Sequence, residues 1–75
     1  MNEELAATIG DIIRTLRLQA NWTLESVARG LGVPPLVLAR MERGKLLPST
    51  VTLVRLSLLF GVSADTLLAR PAANA

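Results

Sequence analysis

Two short apolar-periodic segments, separated by a proline pair and each stopped by a glycine, constrain this chain more than anything else in it. The first runs from Thr23 through Leu24-Glu25-Ser26-Val27-Ala28 to Leu31-Gly32, and the second from Pro34-Pro35 through Leu38 and Met41 to Arg43-Gly44. Thr23 suits an N-cap because its hydroxyl can accept from a first-turn amide, and Gly32 can take the left-handed conformation that closes a helix. A residue before proline is pushed out of the α region, while proline is tolerated at the first helical position, so a new helix starts at about Pro35. That helix lacks a side-chain cap oxygen, a loss of about 1 kcal/mol. The spacing predicts two short helices joined by a tight turn, with Gly44 ending the second.

Helical signals continue on both sides. Asn2 is a candidate N-cap with Glu3 and Glu4 in the first turn, where carboxylates favour the helix dipole, and Ile9, Ile13, Leu16 and Ala20 recur along one face of a helix ending near Asn21. Trp22, just before the Thr23 cap, is placed to staple onto Val27. Pro48 and Ser49 launch a fourth helix that carries Leu53, Leu56, Ser57 and Phe60 on one face and stops at Gly61. Ser63 caps a short fifth helix, with Asp65 in its first turn and Leu67 and Leu68 directed inward. No segment has strand periodicity. Residues 1–70 read as one all-α domain of five helices, and 71–75 as a short alanine-rich tail.

With 75 residues, a lone core supplies only a few kcal/mol of net stability, so sharing it with a second copy is an expectation from size alone. The chain contains no Cys, His or Tyr. That removes disulfides, thiolate and imidazole metal sites and most nucleophile–base pairs, so neither an enzyme nor a metal or other cofactor is expected. The opening Met-Asn-Glu-Glu-Leu has no basic n-region, and the most apolar run, Val51 to Val62, is too short for a bilayer and contains Arg55. A cytoplasmic protein with no membrane partner is expected, and no small-molecule ligand is evident.

Formal charge is only +2, but its distribution is uneven. Between residues 12 and 55 stand Arg14, Arg17, Arg29, Arg40, Arg43, Lys45 and Arg55 against Glu25 and Glu42 alone. Such a basic middle is what a phosphate backbone attracts, and its arginines suit planar recognition of phosphate or guanine. Solvated surface charge is the plainer explanation for any one of them.

From about Ile9 to Leu68 the chain resembles the Cro and phage-repressor family of helix-turn-helix proteins, also called the xenobiotic-response-element family. Ile9-Gly10, Ile13-Arg14, Leu16-Arg17, Thr23, Glu25, Ala28, Leu31-Gly32-Val33, Arg40, Glu42-Arg43-Gly44-Lys45, Pro48-Ser49, Leu53, Leu56, Gly61-Val62-Ser63 and Leu67-Leu68 carry the likeness. It implies a compact five-helix, lambda-repressor-like DNA-binding domain whose helix-turn-helix is made by helices 2 and 3. Arg17 and Glu42 match a structural ion pair, and Ala28 a small residue at a close helix crossing. Arg40 matches a position that contacts base edges, where its fork can take guanine O6 and N7. Thr23, Arg43, Lys45 and Ser49 match positions on the phosphate backbone, Ser49 through its helix N-terminus.

The chain departs from its relatives where the reading should be most polar. Leu24 replaces a common Gln, and Pro34 to Val37, Leu46 and Leu47 replace polar or basic residues. Two accounts fit. In one, Leu36, Val37 and Pro35 lie against base edges, including thymine methyl groups, beside Arg40, and the chain is a repressor acting as a homodimer on a palindromic operator. In the other, Leu24, Pro35, Leu36, Leu46 and Leu47 form an apolar patch that binds a protein partner, as in an antirepressor. Relatives commonly pair through the C-terminal part of the domain, which implies a dimer seam of Val54, Leu58, Leu59 and Leu67.

Overall fold

The computed structural model describes residues 3–68 and contains five helices: α1 (Glu3–Gln19), α2 (Leu24–Leu31), α3 (Pro35–Glu42), α4 (Thr50–Phe60) and α5 (Ala64–Leu67). The described residues are all helix and loop, as the periodicity predicts. The Asn2 cap, the end of the domain at residue 70 and the tail from 71 lie outside the described residues.

Local chemistry sets the helix limits. Thr23 Oγ1 accepts from the Ser26 amide at 3.0 Å, and Ser49 and Ser63 Oγ accept from the Thr52 and Thr66 amides, each at 3.1 Å. Each bond satisfies one of the amide donors a helix start leaves open. α3 instead begins on Pro34, which has no cap bond. Four helices end in the same closure, in which a left-handed residue lets the next amide reach back five positions. Asn21 (φ 57°) does this for α1, and the Trp22 amide donates to the Arg17 carbonyl at 3.1 Å. Gly32, Gly44 and Gly61 do it for α2, α3 and α4.

The helices enclose one core of Ile9, Ile13, Val27, Ala28, Leu31, Leu38, Met41, Leu56 and Leu67. α3 packs against α1 and α2, α4 against α2, and α5 closes the bundle between α4 and α1. The approach of α1 to α3 depends on Gly10, because a Cβ there would meet the Met41 carbonyl oxygen and lie 2.9 Å from that of Glu42. A glycine inside a helix normally costs about 1 kcal/mol against alanine. Here it buries backbone against backbone and sets how deep α3 sits.

The structure revises several expectations. Leu67 is wholly buried and belongs to the core, so it is not part of a dimer seam. Leu59 is half-buried and packs on the core beside Gly30. Trp22 takes a different partner from the expected Val27: its ring stacks on Phe60 at a centroid distance of 5.4 Å and 23° between planes. Thr52 is buried despite its hydroxyl, because Ser49 Oγ donates to it at 3.0 Å. Leu24 and Leu47 are half-buried against the core, which leaves each only a part share in the expected apolar patch.

Candidate nucleic-acid interface

Helix α3 buries Leu38 and Met41 and turns its opposite side outward. Leu36, Arg40 and Arg43 follow one another at i, i+4 and i+7, the spacing of a single helix face, and all three are exposed. Leu36 is 64% exposed. Pro35 is exposed, and Ala39 is half-buried. Val37 lies a quarter turn away, half-buried and packed against the core, so it contributes more to seating the helix than to its outer surface.

The end of α3 is tied to α1. Arg17 grips the Glu42 carboxylate with two donors, Nε to Oε2 at 2.7 Å and one terminal nitrogen to Oε1 at 3.0 Å. Its other terminal nitrogen donates to the Trp22 carbonyl at 3.2 Å. The side chains are 14% and 6% exposed, so the pair is largely removed from water. The guanidinium pKa is raised, first by the hydrogen bond to Glu42 and next by the charges of Glu42 and Glu25, with burial opposing. All three nitrogens are engaged. Arg17 is a structural cation whose charge is matched within the protein.

The basic surface divides between bound and free charge. Arg55 donates to the Leu31 carbonyl at 2.9 Å, closing the C-terminus of α2, where a cation complements the helix dipole. The contact uses one of its N–H donors and draws the side chain to the end of α2. The side chains of Arg14, Arg40, Arg43 and Lys45 are exposed and make no hydrogen bond or ion pair among the described residues. Arg43 and Lys45 border a recess with Glu3, Ala7 and Gly44. Arg43 also lines a larger cleft of about 540 Å³ between α1 and α3, together with Arg14, Arg17, Leu24, Ala39 and Glu42.

Thr23 and Ser49 sit at helix starts and already serve their own backbones. Thr23 Oγ1 accepts one amide, which leaves its hydroxyl hydrogen to donate. Ser49 spends both functions on Thr52, accepting from its amide and donating to its hydroxyl. What α4 can still offer an anion is its open first-turn amides. Arg14 had no assigned role in the sequence. A charge pattern counts cations but does not show which of them have partners.

A short helix with an outward face, propped by a second helix behind a three-residue turn, is the helix-turn-helix arrangement that inserts into a DNA groove. This defines the class as a DNA-binding transcriptional regulator. The chain belongs to the helix-turn-helix family of Cro and C1 type, whose model, described as helix-turn-helix, matches residues 13–67. Two solved structures are similar in fold. One is the restriction-modification controller protein C.AhdI from Aeromonas hydrophila, at 22% identity and a TM-score of 0.77 over 83% of this chain and 94% of that one. The other is the hypothetical transcription factor NHTF from Neisseria, at 25% identity and a TM-score of 0.79 over 95% of this chain and 83% of that one. No match is found among curated proteins. No helix among the described residues is long and apolar enough to cross a membrane.

Proposed function

We propose that this regulator is a homodimeric repressor that sets α3 in the major groove of each half of a palindromic operator and acts by occupying a promoter. The observation that carries the proposal is the outward row of Leu36, Arg40 and Arg43, free of partners and rigidly backed by the core. Arg40 reads guanine through its fork, a pairing worth about 1–3 kcal/mol of discrimination, while Leu36 and Pro35 lie against base edges and thymine methyl groups. Val37 stands beside them with one side in the core. Arg43, Lys45, the Thr23 hydroxyl and the α4 start at Ser49 hold the phosphates and fix register without reading sequence. The apolar patch that a protein-binding alternative requires is reduced by the half-burial of Leu24 and Leu47, which favours DNA as the partner.

The test is selection of bound fragments from sheared source genomic DNA at near-physiological salt, with wild type and Arg40→Ala in parallel. A palindrome enriched by the wild type, with one position per half-site blurred in the variant, is the expected result. An unchanged sequence in the variant removes Arg40 as a reader. No enrichment by the wild type removes the proposal.

For the dimer, exposure points to a seam shifted along α4. Val51, Val54 and Leu58 are 59%, 54% and 76% exposed and share one face, whereas Leu59 and Leu67 point inward. Two-fold pairing there is proposed to set the recognition helices about 34–36 Å apart, one turn of DNA. Leu58→Asp is expected to give a monomer by sedimentation at micromolar concentration with unchanged helical content. A wild type that sediments as a monomer rules out the seam.

A further inference from the structure

We propose that the cleft between α1 and α3 seats one sugar–phosphate unit of the duplex, with Arg14 and Arg43 holding the phosphate and Leu24 and Ala39 forming an apolar floor for the deoxyribose. The inference rests on the DNA-binding reading above and adds to it a subsite and a contact residue, Arg14. The cleft has a volume of about 540 Å³, room for a phosphodiester and its sugar. Its charge is arranged for an anion. Arg17 and Glu42 on its wall neutralise each other through their two hydrogen bonds, so the net charge facing the space comes from Arg14 and Arg43.

Neither of these two guanidiniums has a partner among the described residues, and both line the cleft, Arg14 from α1 and Arg43 from the C-cap of α3. Guanidinium–phosphate bonds of this kind are charge-assisted and directional. The position of the cleft selects DNA as the source of the anion. Arg43 belongs both to the cleft and to the outward row with Leu36 and Arg40, so a groove wall lying along that row brings its backbone to the cleft mouth. The same placement accounts for Leu24. A residue that is half-buried against the core and also lines the cleft has one apolar side for each task.

The experiment measures binding of a fluorescein-labelled mixed-sequence duplex by fluorescence anisotropy from about 50 to about 200 mM salt, for wild type, Arg14→Gln, Arg14→Lys and Arg43→Gln. Phosphate ethylation interference is run on the same duplex. Arg14→Gln is expected to bind about tenfold more weakly and to reduce the slope of log affinity against log salt by about 0.9, the value for one phosphate contact. Arg14→Lys should restore the slope, since the charge is kept. Ethylating the phosphate that Arg14 holds should weaken the wild type and leave Arg14→Gln unaffected. Because Arg14 is exposed and makes no hydrogen bond or ion pair among the described residues, the variant should unfold at the wild-type urea midpoint, which separates lost binding from lost fold. An unchanged slope and interference pattern in Arg14→Gln, with the wild type still binding DNA, overturns the subsite alone. Failure of the wild type to bind any duplex overturns the DNA reading and the subsite with it.

Discussion

Gly10→Ala should lower the melting temperature by roughly 10 °C, equivalent to about 2 kcal/mol for a domain of this size. Helix propensity by itself argues the reverse, since alanine inside a helix is better than glycine by about 1 kcal/mol. The new Cβ, however, meets the Met41 and Glu42 carbonyl oxygens, which are backbone and cannot turn away. α1 and α3 must separate, and overpacking of that kind costs typically about 1–3 kcal/mol. The protein contains its own control. Gly30 also lies inside a helix, but a Cβ there meets only the methyl groups of Leu59 at 3.3 and 3.4 Å, the flexible end of a side chain. Gly30→Ala should be neutral or gain about 0.5 kcal/mol. Urea or thermal melts of the two variants decide the matter, and equal melting of Gly10→Ala and wild type would mean that the α1–α3 contact is slack.

The second large effect concerns the Arg17–Glu42 pair. Glu42→Leu leaves a largely buried guanidinium without its counter-charge, and Arg17→Met leaves a carboxylate that is only 6% exposed in the same position. Each single variant should lose about 3 kcal/mol, toward the low end for a broken buried pair because the arginine keeps some access to water. For a domain this small that is a large part of the total, about 5 kcal/mol. The double variant should recover to within about 1 kcal/mol of wild type, because apolar side chains of similar volume avoid the desolvation that the charges incur. Single losses below about 1 kcal/mol would instead mark the pair as an ordinary surface bridge. The double variant also separates stability from orientation. If the pair sets the angle of α3, the double variant melts normally while binding DNA more weakly.

These residues show what was readable in the sequence and what was not. Thr23, Ser49 and Ser63 cap helices, and Gly32, Gly44 and Gly61 stop them, through bonds that span a few residues, so spacing alone exposes them. The ion pair was legible through family resemblance, because nothing in local spacing links Arg17 to Glu42. Where partners come from distant parts of the chain, local pattern misleads. Trp22 has Val27 at staple spacing but stacks on Phe60, and Leu24 and Leu47 look exposed against a polar expectation but fill gaps beside the core. Leu67 meets the inward expectation and contradicts the seam, since a side chain wholly enclosed by its own core has no surface left for a second copy. Among the cations, Arg55 and Arg14 are equivalent in composition. Only the fold shows that the first closes a helix and the second faces an open cleft.

The ring stack between Trp22 and Phe60 joins points half the chain apart, and the whole of α2, the turn and α3 lies within the loop they close. Loop closure of this kind lowers the number of arrangements open to the enclosed segment at an entropic cost that grows only slowly with its length. The stack thus ties the residue just before the α2 cap to the last residue of α4, and both rings lie outside α3. Neither ring supplies a cap or a helix-closing bond, so the stack constrains how the helices sit together rather than whether each one forms.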